Sequence, residues 1–226
     1  MANDFDSPWK EALERFLEPF LAFFFPVAHQ DIHWGRPAEH LDSELRKVVR
    51  EAEHPNRRAD HLVKVTRIDG EPRLVLIHVE VQSQVDEDLG LRMFTTMYRV
   101  FDRFGLPVVG IAILGAGRSG WDPSRFGWQI WGTGVEARFH TVQLLEYNGK
   151  WSQLEADPNP FALIVQAYLK SLETRSKAGL RRRFKMDLIR NLYQRDYGRE
   201  DILELFRLVD WMMVLPKRKM SFFKKI

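Results

Sequence analysis

The fold of this chain is decided by two short runs of residues, Arg57-Arg58-Ala59-Asp60 and Ile77-His78-Val79-Glu80-Val81-Gln82. Asp60 opens a segment rich in β-branched residues that continues to Ile68, and a second such segment extends from Arg73 to Gln82. Between them, residues 69–72 contain the Gly and Pro that are typical of a turn. The pattern predicts a β-hairpin over residues 60–82.

The second strand of this hairpin is predicted to have one apolar face and one that becomes polar. Side chains alternate along a strand, so one face carries Val75, Ile77, Val79 and Val81, and the other carries Leu74, Leu76, His78, Glu80 and Gln82. An antiparallel partner that begins at Asp60 starts beside Glu80, so the two carboxylates can converge. Two interpretations stay open. The pair binds a divalent cation, or Asp60 caps a turn and Glu80 is exposed.

The residues around the hairpin indicate a mixed α/β core. Apolar residues from 91 to 104 recur at helical spacing, and residues 108–114 form a continuous apolar run that is typical of a buried strand. Upstream, a helix is predicted from Ser7-Pro8, with Pro19 kinking or splitting it and Pro26 ending it. Residues 27–40 are predicted to be irregular, and residues 41–50 fit either a short helix or a strand.

The second half of the chain is predicted to be strands followed by helices. Strands are expected at residues 128–131 and 135–145, and helices at 161–172, 179–193 and 199–215. We therefore expect a helical subdomain from about residue 158 onward. The basic run Arg181–Lys185 lies on a predicted helix and either contacts phosphates or, as is more common, forms the solvated face of an amphipathic helix.

Bulk composition bounds the classes of function. A length of 226 residues suits one domain, or one domain with a helical appendage. The net charge of +3 permits a polyanionic partner but does not require one. The absence of cysteine excludes disulfides, zinc–thiolate sites and thiol catalysis. The acidic start lacks a signal-peptide pattern and the apolar run at residues 20–25 is too short to span a bilayer, so we expect a cytoplasmic protein without membrane association.

A glycine-rich motif offers an alternative function. Residues 115–120 match G-x-G-x-x-G directly after the predicted buried strand. Dinucleotide binding requires a helix to begin there, and residues 121–127, which contain Trp, Pro and Gly, are unsuited to a helix. The motif is therefore interpreted as a surface loop, and no cofactor-binding residue is assigned.

The chain resembles the PD-(D/E)XK nuclease-like proteins of the Rpn/YhgA type, recombination-promoting nucleases that are often labelled transposases. The resemblance covers about residues 6–215 and rests on Asp6-Ser-Pro-Trp-Lys10, Arg57-x-x-Asp60, His78-Val-Glu-Val-Gln82, the helix at Arg92–Tyr98, the strand Val108–Leu114 and the segment Asp201–Trp211. It implies an α/β (α+β) restriction-endonuclease-like core, a mixed β-sheet flanked by helices. Residues 1–157 would form this domain, and residues 158–226 a C-terminal helical subdomain with a basic tail.

The resemblance also implies a set of site residues. Asp60 and Glu80 would bind Mg²⁺ or Mn²⁺, Gln82 occupies the position where the superfamily usually has lysine, and Lys10 matches a basic position of the first helix. Arg57, Arg58 and Arg92 are candidate nucleic-acid contacts. A glutamine amide cannot act as a general base, although it can orient water, so the missing function would fall to Lys10, Lys64 or the metal.

The implied function is a magnesium-dependent endodeoxyribonuclease that hydrolyses phosphodiester bonds of double-stranded DNA and is associated with recombination. The alternative is a catalytically weak or inactive nuclease-like fold that binds DNA or another protein. A homodimer is compatible with either function.

Overall fold

A five-stranded mixed sheet forms the centre of the protein in a computed structural model, which describes residues 6–50, 60–69, 73–117, 121 and 123–215. For residues 6–8, 49–50 and 60 only the backbone is described. The strands are β1 Glu39–His40, β2 Asp60–Thr66, β3 Leu74–Gln82, β4 Val108–Leu114, β5 Arg125–Ile130, β6 Thr133–Arg138 and β7 His140–Gln143. The helices are α1 Asp6–Arg15, α2 Leu17–Phe24, α3 Pro26–Asp31, α4 Asp42–Arg50, α5 Leu89–Phe104, α6 Trp151–Ala156, α7 Pro160–Glu173, α8 Ala178–Gln194 and α9 Arg199–Met212.

The sheet has the strand order β1-β2-β3-β4-β7. The pairs β1–β2 and β2–β3 are antiparallel, whereas the pairs β3–β4 and β4–β7 are parallel. Parallel neighbours need a crossover connection, and α5 provides it between β3 and β4. The predicted mixed α/β class, with helices flanking a mixed sheet, is confirmed.

The predicted hairpin is the antiparallel pair β2–β3, and the alternation predicted for the second strand holds in β3. One face of the pair enters the main core against α1, α2 and α7, and its buried residues are Val63, Val65, Ile77, Val79 and Val81. The opposite face contributes Leu62 and Leu76 to a smaller core with Leu45 of α4 and Val100 of α5. Because both faces are covered, the strands exclude water on both sides.

The N-terminal helices differ from the prediction in two places. The helix is split as expected, but at Phe16 rather than at Pro19. Because α2 begins at Leu17, Pro19 lies in its first turn. Backbone N–H groups in the first turn have no acceptor within the helix, so a proline there costs no hydrogen bond. The prediction that residues 27–40 are irregular is wrong for the short helix α3, which Pro26 begins, and for the strand β1. Residues 41–50, left open above, form the helix α4 after Leu41.

The predicted C-terminal helices are α7, α8 and α9. Helix α7 shares the main core with the first helices, since the ring centroid of Phe161 lies 5.9 Å from that of Trp9 and 5.2 Å from that of Phe20. The boundary at residue 157 stays a prediction, and the basic tail from residue 217 lies outside the described residues.

The basic run in α8 is not simply a solvated face. Lys185 is 7% exposed, and its ammonium lies 2.6 Å from the Asp210 carboxylate and donates to the Asp210 and Met213 carbonyls. Arg181 donates to the Ser171 carbonyl near the end of α7. Both cations therefore satisfy carbonyls at helix C-termini, where positive charge is favoured.

The predicted strand at residues 135–145 is divided. Its first part, β6, pairs with β5 in a separate two-stranded sheet, and its second part, β7, joins the main sheet. A 3₁₀ helix follows at Leu144–Tyr147. Within the described ranges, no helix is both long and apolar enough to cross a bilayer.

Candidate active site

The carboxyl ends of β3, β4 and β7 meet at one edge of the sheet. Gln82 pairs with Leu114, and Leu114 pairs with Gln143, so these three residues end their strands at the same level. In open sheets with parallel strands this edge commonly holds ligands. Glu80 lies two residues before the edge, and the backbone of Asp60 pairs directly with it across β2 and β3. The predicted convergence of positions 60 and 80 is confirmed at the level of the backbone.

Glu80 is buried, which contradicts the interpretation that placed it exposed on a sheet face. It is 6% exposed, and its carboxylate is bound by the guanidinium of Arg92. Arg92 projects from the first turns of α5, which covers this face of the sheet, and it also binds Asp86. A buried carboxylate requires such a partner, because the cost of removing an unpaired charge from water is several kcal/mol, roughly 3–5 when one partner of a pair is lost.

Gln82 belongs to the same group. Its side-chain oxygen accepts a hydrogen bond from Arg92 at 3.0 Å, and its amide nitrogen donates to the Gln84 carbonyl at 2.9 Å. Both ends of the carboxamide are therefore held. The group can orient a neighbouring molecule by hydrogen bonding, but it cannot take up a proton at ordinary pH.

The other residues predicted for the site are distributed differently. Arg57 and Arg58 lie outside the described residues. Arg92 lies in the site, where its guanidinium is engaged by Glu80 and Asp86. Lys10 lies in another group of residues: its ammonium is 2.7 Å from Asp42 Oδ2. The structure brings Glu80, Gln82 and Arg92 together and places Lys10 apart from them, so the catalytic role of Lys10 stays a prediction.

The group that contains Lys10 is centred on His61. The imidazole is 1% exposed, and its Nδ1 lies 3.0 and 3.1 Å from the two oxygens of Asp42. Because a carboxylate only accepts, Nδ1 donates to Asp42, and Nε2 shares a hydrogen bond with His40 Nδ1, 3.1 Å away. His61 pairs with Val79, one residue before Glu80. The two groups therefore lie on opposite faces of the same strand pair.

Asp42 is the most heavily hydrogen-bonded residue of this group. Besides Lys10 and His61, it accepts the backbone N–H of Leu62 at 2.9 Å. Burial opposes its ionisation, but the hydrogen bonds from His61, Lys10 and Leu62 outweigh burial and hold the pKa of the carboxyl well below its usual range. Strand β1 pairs with β2 only at Val63 and Lys64, so the N–H of Leu62 lies on an edge of β2 that β1 does not reach. The bond from this N–H to Asp42 holds the first residues of β2 in place.

Three residues of this group can hold a metal ion. One ligand atom from each of Glu14, Asp42 and His61 lies within 4.8 Å of the others. Two carboxylates and an imidazole suit Mn²⁺ or Zn²⁺ better than Mg²⁺, which prefers oxygen ligands. The ammonium of Lys10 already neutralises Asp42, so an ion at this position would have to displace it.

The glycine motif is accounted for by packing over the part that the structure describes. A Cβ at Gly115 would lie 2.1 Å from the hydroxyl of Tyr168, which donates to the Gly115 carbonyl at 2.8 Å. A Cβ at Gly117 would lie 2.5 Å from the amide nitrogen of Gln143. These glycines allow close approach of side chains from α7 and β7, which supports the interpretation of the motif as a loop.

A separate cavity of about 290 Å³ opens at the other end of the sheet. Its walls are mainly apolar, with Leu21, Phe25, Val65, Ile77 and Val109 among them. The ion pair between Arg67 and Asp31 contributes to its lining. It lacks the converging carboxylates of the Glu80 group and is not the candidate active site.

The residues that the sequence prediction missed are Glu14, His40, Asp42, His61 and Asp86. One signal was available: the alternation that places position 60 on one face places His61 on the other. Nothing local indicates that Asp42 and Lys10 meet His61, because they belong to separate elements.

Comparisons with models of protein families, with curated proteins and with solved structures found no match.

Proposed function

We propose that this protein is a divalent-metal-dependent endodeoxyribonuclease with a restriction-endonuclease-like core, in which Asp60 and Glu80 bind the ion. The observation that carries the proposal is the register of the hairpin, which pairs position 60 with Glu80 at the edge where the parallel strands end. Further support comes from the order of elements: a helix, an antiparallel hairpin, the crossover helix α5 and the parallel strand β4.

The charge of the group suits a divalent cation. Glu80 and Asp86 contribute two negative charges, and Arg92 compensates one of them. In this proposal Asp60, whose backbone pairs with that of Glu80 on the neighbouring strand, supplies a further carboxylate. A carboxylate-rich donor set of this kind fits Mg²⁺ or Mn²⁺. When bound, such an ion would polarise a water molecule and neutralise charge on the phosphate oxygens.

The side chains of the chain have supporting roles in this proposal. Arg92 fixes the Glu80 carboxylate, and Gln82, itself held at both ends, orients the reacting water by hydrogen bonding. The lysines considered for the missing base are engaged elsewhere: Lys10 with Asp42, and Lys64 with Glu39. We therefore assign water activation to the ion rather than to either lysine.

The proposal extends to double-stranded DNA as substrate, to a role in recombination and to a cytoplasmic location. A second candidate is a nuclease-like fold that binds DNA or a protein without cutting. Two observations favour it: Arg92 already neutralises Glu80, and Gln82 occupies the position that the resemblance assigns to lysine. The two candidates differ in whether DNA is hydrolysed when a divalent ion is supplied.

Nicking of supercoiled plasmid distinguishes them. Wild-type protein should nick the plasmid with Mg²⁺ or Mn²⁺ and not with EDTA, and Asp60→Asn and Glu80→Gln should each reduce the rate by a factor of at least about 100. Glu146→Gln removes an exposed carboxylate outside the group and should leave the rate unchanged. Salt-dependent DNA binding without nicking would support the second candidate, and equal nicking by all variants would overturn the first.

A further inference from the structure

The two-stranded sheet β5–β6 has an apolar and a polar face. Residues that are paired across the two strands lie on the same face. The mainly apolar pairs share one face, which consists of Phe126, Trp128, Ile130, Thr133, Val135 and Ala137. The other face carries Arg125 opposite Arg138, and Gly127 opposite Glu136. This separation is typical of a sheet that covers an apolar surface.

Among the residues that the structure describes, only the base of this apolar face is covered. The ring of Phe126 stacks on Phe94 of α5 at a centroid distance of 5.1 Å. Farther out, Trp128 is 50% exposed and Ile130 is 55% exposed, and Trp131 at the tip is 97% exposed. Trp131 also has a positive φ of 51° in the turn before Gly132, a conformation that is unfavourable for a bulky residue. An isolated two-stranded hairpin is marginally stable in water, and within the described residues the outer part of this apolar face has no covering element.

The outer edge of β6 is the natural place for that partner. Strand β5 contacts α5, whereas β6 pairs only with β5 in the sheets formed by the described residues. An edge strand carries a row of backbone N–H and C=O groups without ladder partners, and such an edge pairs readily with another strand.

The charges on β6 select a second copy of the chain. In an antiparallel β6–β6 pair, the two-fold axis passes either through a residue or between two residues. Only an axis through a residue sets the apolar faces of the two copies on the same side of the sheet. Within one copy Arg138 already donates to Glu136 at 2.7 Å. Centring on Ala137 also sets each Glu136 opposite the partner's Arg138, twice by symmetry, so that the four charges alternate. Centring on Glu136 or on Arg138 sets like charges against each other. Ala137 is also small and only partly exposed, so two copies can approach closely there.

We propose that the protein self-associates through antiparallel pairing of β6 with β6 of a second copy about a two-fold axis at Ala137. The two hairpins then form a four-stranded sheet with a continuous apolar face. A strand of six residues is about 20 Å long, so the contact is small. We expect a weak dimer with a dissociation constant of the order of micromolar.

Sedimentation velocity from about 1 to 200 μM tests the pairing across the expected affinity range. Wild-type protein should shift from monomer to dimer, and Glu136→Arg or Arg138→Glu alone should weaken the dimer at least about tenfold. The double variant E136R/R138E restores opposite charges in a homodimer and should recover the association. A wild-type monomer at every concentration, or single variants that associate as wild type does, would overturn the proposal.

Cysteine cross-linking tests the axis independently. The chain has no cysteine, so Ala137→Cys introduces a single thiol that should form a disulfide-linked dimer under mild oxidation. Ser152→Cys, on the exposed side of α6, is the control and should remain largely monomeric. Equal cross-linking of both variants would overturn the symmetric pairing. Neither test involves DNA or the Glu80 group, so this inference can fail while the proposed nuclease function holds, and the reverse.

Discussion

Asp60 and Glu80 are direct partners across the antiparallel strands β2 and β3. The next residue, His61, pairs with Val79 and lies on the opposite face, where Asp42 binds it. One strand pair therefore supplies two polar groups separated by the thickness of the sheet. The group around Glu80 is tied together by Arg92, and the group around His61 is tied together by Asp42. Variants can address each group separately.

Replacing Arg92 tests its role in the Glu80 group. Arg92→Gln should lower the free energy of unfolding by about 2–3 kcal/mol, because it leaves two carboxylates without their shared cation, one of them buried. Arg92→Lys should have an intermediate effect, since an ammonium cannot contact three acceptors in the geometry of a guanidinium. Urea denaturation measures both, and Arg182→Gln, an exposed arginine of α8, is the control.

The same variant distinguishes two roles of Arg92 in DNA binding. If its guanidinium stays engaged with Glu80 and Asp86, Arg92→Gln should leave the salt dependence of DNA binding unchanged. A phosphate contact would instead reduce the slope of log K against log salt by about 1. Fluorescence anisotropy without divalent ions measures the slope, and a reduced slope would assign Arg92 to the nucleic-acid contacts.

Asp42→Asn should alter acid stability. The pKa of Asp42 is lowered in the folded protein, so its charge contributes stability that is present above the unfolded pKa of about 3.9 and is lost as pH falls below it. Wild type should exceed Asp42→Asn by about 2–3 kcal/mol near neutral pH, and the difference should shrink below about pH 4. Urea denaturation at several pH values measures this. A difference that does not change with pH would show that the carboxylate charge is not the cause.

Manganese binding should locate the ion. Wild-type protein should bind Mn²⁺, as seen by electron paramagnetic resonance, and Glu80→Gln should abolish this binding. His61→Asn should not abolish it, because Lys10 already neutralises Asp42 in the His61 group. Removing that ammonium with Lys10→Met should create a second site at Glu14, Asp42 and His61. The double variant K10M/H61N should lose it. Loss of wild-type binding in His61→Asn would place the ion in the His61 group.

Gly115→Ala should destabilise the protein through a steric conflict. The new methyl group would meet the Tyr168 hydroxyl at 2.1 Å, and overpacking of this kind typically costs about 1–3 kcal/mol. Tyr168→Phe alone should cost about 1 kcal/mol for its hydrogen bond to the Gly115 carbonyl. Because Tyr168→Phe also removes the clashing atom, the double variant should be more stable than the sum of the single effects predicts. Thermal and urea unfolding of wild type, the two single variants and the double variant complete this double-mutant cycle.

Much of the fold could be predicted because its signals are local. The apolar run at Val108–Leu114 coincides with β4, and the turn residues and alternation predict the hairpin closely. The errors occurred where tertiary contacts override local patterns. The strand predicted at residues 135–145 is divided because its two parts pair in different sheets. Likewise, Lys185 is buried because the C-terminal end of α9, farther along the chain, presents carbonyls to it.

For the candidate site, local signals are sufficient to place positions 60 and 80 on one face and at one level, because strand alternation and a hairpin turn are local properties. The partners of the side chains follow from the packing of distant elements: Arg92 for Glu80, Gln84 and Arg92 for Gln82, and Asp42 for Lys10. Periodicity specifies only the direction in which a side chain points. What it meets depends on how α1, α4 and α5 pack on the sheet, and that packing is set by the apolar contacts of the whole core.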